Sequence, residues 1–75
     1  MTKKIFSYEI GDIINIISKP GKHDYLLVTG FGSDEKNNDD WYNIVVLSSN
    51  AYPNAIDDDS QISYETAENE YEKVA

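Results

Sequence analysis

Residues 19–31, KPGKHDYLLVTGF, join a turn to a strand and decide the fold class of this 75-residue chain. Proline presets φ at the second position of a β-turn, and the following glycine supplies the positive φ that a type II turn requires at the third. In residues 25–31, apolar side chains occupy both odd and even positions, so both faces of the predicted strand are apolar. Such a strand is typical of a closed barrel or a sandwich.

A first strand is predicted before this turn, and a loop after it. β-branched residues dominate residues 5–17, and Gly11 followed by Asp12 predicts a bulge or sharp bend within that strand. Residues 32–40 contain no apolar side chain, so we expect a long, solvated hairpin loop there.

A third strand is predicted over residues 41–47. Adjacent strand residues point to opposite faces, and we expect Trp41 to cap the core while Tyr42 faces outward or packs against a neighbour. Residues 51–56 predict a short edge strand, because Pro53 has no backbone N–H to donate to a central ladder.

The C-terminal segment predicts a short helix. Four apolar residues follow the spacing of one helical face: Tyr64, Ala67, Tyr71 and Val74. Ser63 precedes them as an N-cap, and its side chain can accept a hydrogen bond from the first turn. The alternative is a strand over residues 61–66 followed by a frayed tail.

Residues 8–14, YEIGDII, resemble the hydrophobic-x-x-Gly-Asp-x-Val pattern with which SH3-like and KOW-type barrels begin. The resemblance implies a small barrel in which Gly-Asp bends the first strand. The expected fold is therefore mainly β, either a small SH3-like barrel or a strongly bent antiparallel sheet, with a short C-terminal helix. A chain of this length makes one domain, with the barrel core over about residues 5–56 and an acidic segment over residues 57–75.

All of the net charge lies in the second half of the chain. Residues 1–38 carry five lysines and five acidic residues, whereas residues 39–75 carry nine acidic residues and Lys73 alone, a net charge of −8. Direct binding of DNA or RNA requires a basic surface, so the composition argues against it. An acidic block attracts basic surfaces instead. The small, acidic, lysine-only composition is also similar in style to accessory proteins encoded by phages of low-GC bacteria.

Several kinds of chemistry are not expected. The chain has no cysteine, which excludes disulfides and thiolate sites and fits a reducing cytoplasm. His23 is the single histidine and lies beside a turn, so neither an enzyme nor a cofactor is predicted. Residues 57–68 have the oxygen-donor spacing of an EF-hand loop, but Ile62 replaces the required glycine, and no metal site is predicted. No apolar segment is long enough for a secretory leader or a bilayer span.

The leading functional hypothesis is a non-enzymatic protein that docks a basic site on a host protein, as a nucleic-acid mimic or inhibitor. It assumes that the carboxylates form one continuous patch with tyrosine anchors. The predicted contact residues are Asp39, Asp40, Tyr42, Tyr52, Asp57, Asp58, Asp59, Glu65, Glu68, Tyr71 and Glu72. The expected partner is a nucleic-acid-binding protein or enzyme, and the chain is expected to be a monomer or a small homo-oligomer.

Two alternatives remain open at this point. Apolar residues on both strand faces also fit a small ligand-binding or sequestering module whose pocket forms between subunits. The third alternative is a structural or assembly subunit.

Overall fold

Five antiparallel strands form one sheet in the computed structural model, which describes residues 6–75. The strands are β1 (Ile13–Ile16), β2 (Asp24–Asp34), β3 (Asp39–Ser49), β4 (Asp59–Ser63) and β5 (Tyr71–Lys73). Their order across the sheet is β4-β3-β2-β1-β5, and every neighbouring pair is antiparallel. A 3-10 helix over Pro53–Ala55 and one α-helix, α1 (Tyr64–Glu70), complete the described elements.

The sheet is open, with β4 and β5 as its two edges. The predicted mainly β fold, with one antiparallel sheet and a short C-terminal helix, is confirmed, but the sheet does not close into a barrel. Helix α1 runs from the end of β4 to the start of β5 and packs against both strands and against β3. The helix thus lies between the two edges that would have to pair in a closed barrel.

The first strand is shorter than predicted. β1 begins only at Ile13, and Gly11, which has φ +97°, lies in a turn that precedes it. The Asp12 N–H donates to the Glu9 carbonyl at 3.0 Å, and the Asp12 carboxylate accepts from the Glu9 N–H at 2.9 Å. Of the two predicted alternatives, the Gly-Asp pair therefore forms the sharp bend, as a closed turn before β1, and not the bulge inside a strand. Ile5, the start of the predicted strand, lies outside the described residues.

Of the two predicted connections that flank β2, one is confirmed and the other is wrong. The Lys19–Lys22 turn is confirmed, since the Lys22 N–H donates to the Lys19 carbonyl at 3.1 Å and Gly21 has φ +76°. The long loop predicted over residues 32–40 is wrong. Paired strands extend to Asp34 on one side and from Asp39 on the other, so only four residues turn the chain. Backbone pairing continues through this polar stretch because ladder hydrogen bonds do not require apolar side chains.

Both predictions for the C-terminal segment are partly correct. Ser63 is the N-cap of α1, and its hydroxyl accepts from the Thr66 N–H at 3.2 Å, as predicted. The helix ends at Glu70, however, and Tyr71 begins β5 instead of continuing the helical face to Val74. The alternative of a strand over residues 61–66 holds for the last three residues of β4. The edge strand predicted over residues 51–56 is wrong, because a 3-10 helix lies there.

One face of the sheet, which we term the inner face, carries the core. Leu26 pairs with Val46 and Val28 pairs with Ile44 across β2 and β3, and all four side chains are buried. Helix α1 contributes Ala67 to this face. Within residues 6–75, the buried core residues are Tyr8, Ile14, Ile16, Leu26, Val28, Tyr42, Ile44, Val46, Ala67 and Tyr71.

The assignment of Trp41 and Tyr42 to the two faces is the reverse of the prediction. Tyr42 is 0% exposed and belongs to the core, whereas the half-buried Trp41 lies on the opposite, outer face. Trp41 is paired with Gly32 of β2, and its indole ring covers that glycine so closely that a methyl group there would overlap the ring. Gly32 thus provides the space that the tryptophan side chain occupies.

Replacement of Gly32 by alanine tests this packing. We expect Gly32→Ala to lower the free energy of unfolding by about 1–3 kcal/mol, because the indole must move away from the new methyl group. Gly30→Ala in the same strand is the matched control, since its methyl group would meet the end of the Asn43 side chain at 3.2 Å, which can rotate. Urea unfolding of both variants measures the difference. Equal losses would show that the tryptophan contact does not constrain Gly32.

Candidate functional site

The structure separates the predicted acidic contact residues into three groups. The first is an exposed group at the start of β4: Asp57, Asp58 and Asp59. The second lies around the β2–β3 hairpin and the first turn of α1: Asp39, Asp40 and Glu65. The third comprises Glu68 and Glu72, which lie in α1 and β5 respectively.

The backbone fixes the first group beside the end of β3. The Asp57 N–H donates to the Val46 carbonyl at 2.7 Å, and the Val46 N–H donates to the Asp58 carbonyl at 3.2 Å. Asp57 has φ +69°, so the chain reverses there before β4 begins. Their side chains are exposed on an edge strand, where charged residues also discourage pairing with another sheet.

The second group surrounds Trp41. Asp39 and Asp40 line a shallow groove of about 370 Å³ together with Trp41, Glu65 and Asp34. Asp34 faces Asp39 across the hairpin, so two like charges lie directly opposite each other. This groove joins an aromatic ring to carboxylates, a combination suited to a lysine or arginine side chain.

The third group does not extend the acidic surface. Glu68 faces inward, where Oε2 accepts from the Tyr42 hydroxyl at 2.7 Å and Oε1 accepts from the Ser7 hydroxyl. Glu72 lies in β5, on the opposite edge of the sheet from β4. Glu65, Glu68 and Glu72 therefore do not form one acidic surface, because α1 ends at Glu70 and Glu68 binds the buried Tyr42 hydroxyl.

The remaining acidic surface has two centres along the β4 edge. Asp59 pairs with Val45, five residues along β3 from Asp40, which places the two groups roughly 17 Å apart at ~3.4 Å per residue. Exposed charges are largely screened from each other beyond about 8–10 Å at physiological salt. The two groups therefore act on a partner separately, and the expectation of one continuous patch is corrected.

The sequence has no lysine between Lys36, which lies in the β2–β3 turn, and Lys73. Lys73 lies in β5, four strands from β4 and thus roughly 19 Å away at ~4.8 Å per strand. Its ammonium is 3.4 Å from the Asp12 carboxylate, on that far side of the sheet.

The three predicted tyrosine anchors differ in exposure. Tyr42 and Tyr71 are 0% and 6% exposed, so a partner cannot reach them without opening the core, and their assignment as surface anchors is corrected. Tyr52 is 48% exposed. Its hydroxyl accepts from the Lys19 ammonium at 2.9 Å, and this hydrogen bond is the main cause of the raised pKa of Lys19.

Three buried tyrosines have raised pKa values because burial penalises the tyrosinate form. Burial raises the pKa of Tyr42, and its hydrogen bond to Glu68 raises it further. The pKa of Tyr71 is raised by burial and then by the hydrogen bond from its hydroxyl to Asp24. The pKa of Tyr8 is raised by burial and by the nearby charge of Glu68. These hydroxyls hold their protons well above the range of an exposed tyrosine.

Asp24 is a candidate residue that the sequence analysis did not select. Its carboxylate is 3% exposed at the start of β2, and the Tyr71 hydroxyl donates to Oδ2. Within residues 6–75, no donor reaches Oδ1. One feature of the sequence indicates this burial: Asp24 is two and four residues before Leu26 and Val28, so the three side chains lie on the same face of β2. A lone carboxylate next to a turn is more commonly solvated, so this sign is not decisive.

A cavity of about 360 Å³ lies beside Asp24, between the inner face of β2, β3 and β4, the 3-10 helix and α1. Its apolar wall is formed by Leu26, Ile44, Val46, Ala55 and Ile62. Asp24, Asp58 and Asp59 also line it, and no lysine of the described chain does. The cavity is thus apolar in its walls and negative in charge.

His23 contacts the neighbouring strand β3 through Ser48. Its Nε2 lies 3.1 Å from the Ser48 hydroxyl beside the β1–β2 turn. Residues 57–68, which have EF-hand-like spacing, form β4 and the first part of α1 instead of a calcium loop. Across residues 6–75, no three histidine, aspartate or glutamate side chains come close enough to hold a metal ion.

The raised tyrosine pKa values predict a loss of stability at alkaline pH. Above about pH 10, the ordinary tyrosine pKa, the unfolded chain releases protons that the folded chain retains, so the free energy of unfolding falls as pH rises. Below that pH the contribution of these tyrosines is fully present. Urea unfolding midpoints measured below and above this pH show how stability changes with pH. Tyr71→Phe should make that change smaller, because it removes one of the buried hydroxyls. A midpoint that does not change with pH would contradict the burial of these hydroxyls.

Comparison of the chain with family models, with curated proteins and with solved structures gave no match. Among residues 6–75, no helix has both the length and the apolar character needed to cross a bilayer.

Proposed function

We propose that this chain is a non-enzymatic acidic binding protein that docks a basic protein surface through the β4 edge. One observation carries the proposal: two groups of carboxylates lie along this edge, and the sequence has no lysine from residue 37 to residue 72. A surface of one sign attracts a partner of the opposite sign and speeds its association.

Two aromatic side chains give the edge a means of holding a partner after encounter. Trp41 lies in the groove with Asp40 and Glu65, and Tyr52 is exposed near the 3-10 helix. Tryptophan and tyrosine are enriched among the residues that contribute most to binding energy at protein interfaces. Carboxylates would thus guide the approach, and these two rings would provide contact area.

The spacing of the carboxylates favours a partner with two separate basic groups. A DNA strand presents one charge per ~3.4 Å, whereas the two groups on the β4 edge are roughly 17 Å apart with uncharged residues between them. The proposal is therefore docking to a basic site, on a host protein such as a nucleic-acid-binding protein, without a regular imitation of a phosphate backbone. Inhibition would follow where that site is the partner's own binding surface. The cysteine-free composition fits action in a reducing cytoplasm.

Matched charge variants test the role of the edge. The triple variant Asp57→Asn, Asp58→Asn, Asp59→Asn removes the first group, and Glu9→Gln, Glu70→Gln, Glu72→Gln makes the same change in net charge at positions away from this edge. The probe is a decalysine peptide, which when extended spans ~33 Å and can contact both groups. We expect the edge variant to bind about tenfold more weakly than the control, and wild-type affinity to fall steeply between about 50 and 500 mM salt.

Equal losses in the two triple variants would show that binding follows net charge and not the edge. A complex whose affinity does not respond to salt would also contradict the proposal. The same pair of variants, used as baits in a host lysate, identifies partners that the control retains and the edge variant loses.

A further inference from the structure

The cavity beside Asp24 contains a buried hydrogen-bond acceptor without a donor. The carboxylate is 3% exposed, and Tyr71 satisfies Oδ2 only. Within the described chain Oδ1 has no partner. An unsatisfied buried acceptor destabilises the fold, more so when it is charged, so a ligand that donates to this oxygen gains free energy that solvent does not supply.

We infer that this cavity binds a primary alkylammonium ligand, whose ammonium group donates to Asp24 Oδ1 and whose alkyl chain lies along the apolar wall. The site goes beyond the proposed docking edge, because it lies on the inner face of the sheet and holds a ligand of stated chemistry within one chain. Asp24 is one of the residues that line the cavity, so a ligand held there lies next to its carboxylate.

The available acceptor favours an ammonium over other cations. A guanidinium binds best when both carboxylate oxygens accept in parallel, but Tyr71 already occupies Oδ2. An ammonium is compact, and one of its N–H groups can donate a hydrogen bond to a single oxygen. A divalent metal would require several converging ligands, and residues 6–75 do not bring three acidic or histidine side chains together.

The walls of the cavity determine the rest of the ligand. Leu26, Val46 and Ile62 offer apolar surface to a hydrocarbon chain. A volume of about 360 Å³ lies at the lower end of the range for small-molecule sites, which fits a short chain. Asp58 and Asp59 line the same cavity and are exposed, so they can accept a second ammonium at the far end of a diamine.

The ligand chemistry is shared by free alkylamines and by a lysine side chain of a bound protein. The test therefore uses the full chain with three probes: n-pentylamine, 1,5-diaminopentane and the blocked peptide acetyl-Gly-Lys-Gly-amide. n-Pentanol is the neutral control of similar size. Amide chemical shifts report binding at the cavity, and the signals to follow belong to Leu26, Val46 and Ile62.

We expect n-pentylamine and 1,5-diaminopentane to shift these signals and pentanol to leave them unchanged. Binding of the peptide as well would indicate a lysine of a partner as the natural ligand, whereas binding of the free amines alone would indicate a small molecule. Both results support the site. Absence of shifts with either amine, or equal shifts with pentanol, would overturn it, whatever the outcome of the decalysine experiment.

Substitutions of two residues that line the cavity provide a second test. Asp24→Asn removes the charge with little change in shape and should weaken both amines by about tenfold or more. Because a buried substitution can impair folding, Ala55→Leu serves as a second variant that fills the cavity from the 3-10 helix and should also abolish binding. Unchanged affinity in a folded Ala55→Leu variant would overturn the assignment.

The exposed aspartates provide a matched pair. The double variant Asp58→Asn, Asp59→Asn should weaken 1,5-diaminopentane several-fold more than n-pentylamine, since only the diamine carries a second charge. Asp57→Asn, which changes the neighbouring carboxylate outside the cavity lining, should leave both affinities unchanged. If Asp57→Asn lowers the affinity for 1,5-diaminopentane by as much per removed charge as the double variant does, the attraction is non-specific. That result would overturn the site.

Discussion

The hydroxyl of Tyr42 joins the parts of the chain that sheet pairing leaves apart. It accepts from the backbone N–H groups of Ser7 and Tyr8, at 3.0 and 3.4 Å, and donates to Glu68 of α1. Tyr8 in turn donates to the carbonyls of Ala67 and Tyr71 at 3.1 and 3.0 Å. Because the sheet is open, these buried hydrogen bonds attach the N-terminal segment and the helix to its inner face, and the apolar contacts of the core form around them.

The parts of the fold that could be predicted from the sequence depend on local chemistry. The Lys19–Lys22 turn follows from proline and glycine, and the start of α1 follows from the hydroxyl of Ser63. The faces of Trp41 and Tyr42 could not be predicted, because both faces of β3 are apolar and alternation alone does not distinguish them. The choice depends on partners far away in the chain: Glu68 for the tyrosine hydroxyl and Gly32 for the indole.

In the candidate site too, features set by neighbouring residues could be predicted, and features set by distant residues could not. The exposure of Asp57, Asp58 and Asp59 could be predicted, since a run of three carboxylates is rarely buried. The inward orientation of Glu68 and the burial of Asp24 could not, because each depends on a tyrosine hydroxyl more than 20 positions away in the chain. Inward-facing carboxylates with distant partners leave little trace in local sequence, and one of them, Asp24, lines the cavity.

The placement of β5 beside β1 affects the order in which the molecule folds. β1, β2, β3 and β4 pair with their sequence neighbours, so these contacts need only short loops to close. The pairing of Ile14 with Lys73 instead joins residues near opposite ends of the described chain, and such contacts have a high entropic cost of loop closure and slow folding. During synthesis, β1 therefore emerges from the ribosome long before its second partner, and its outer edge remains unpaired until β5 has been made.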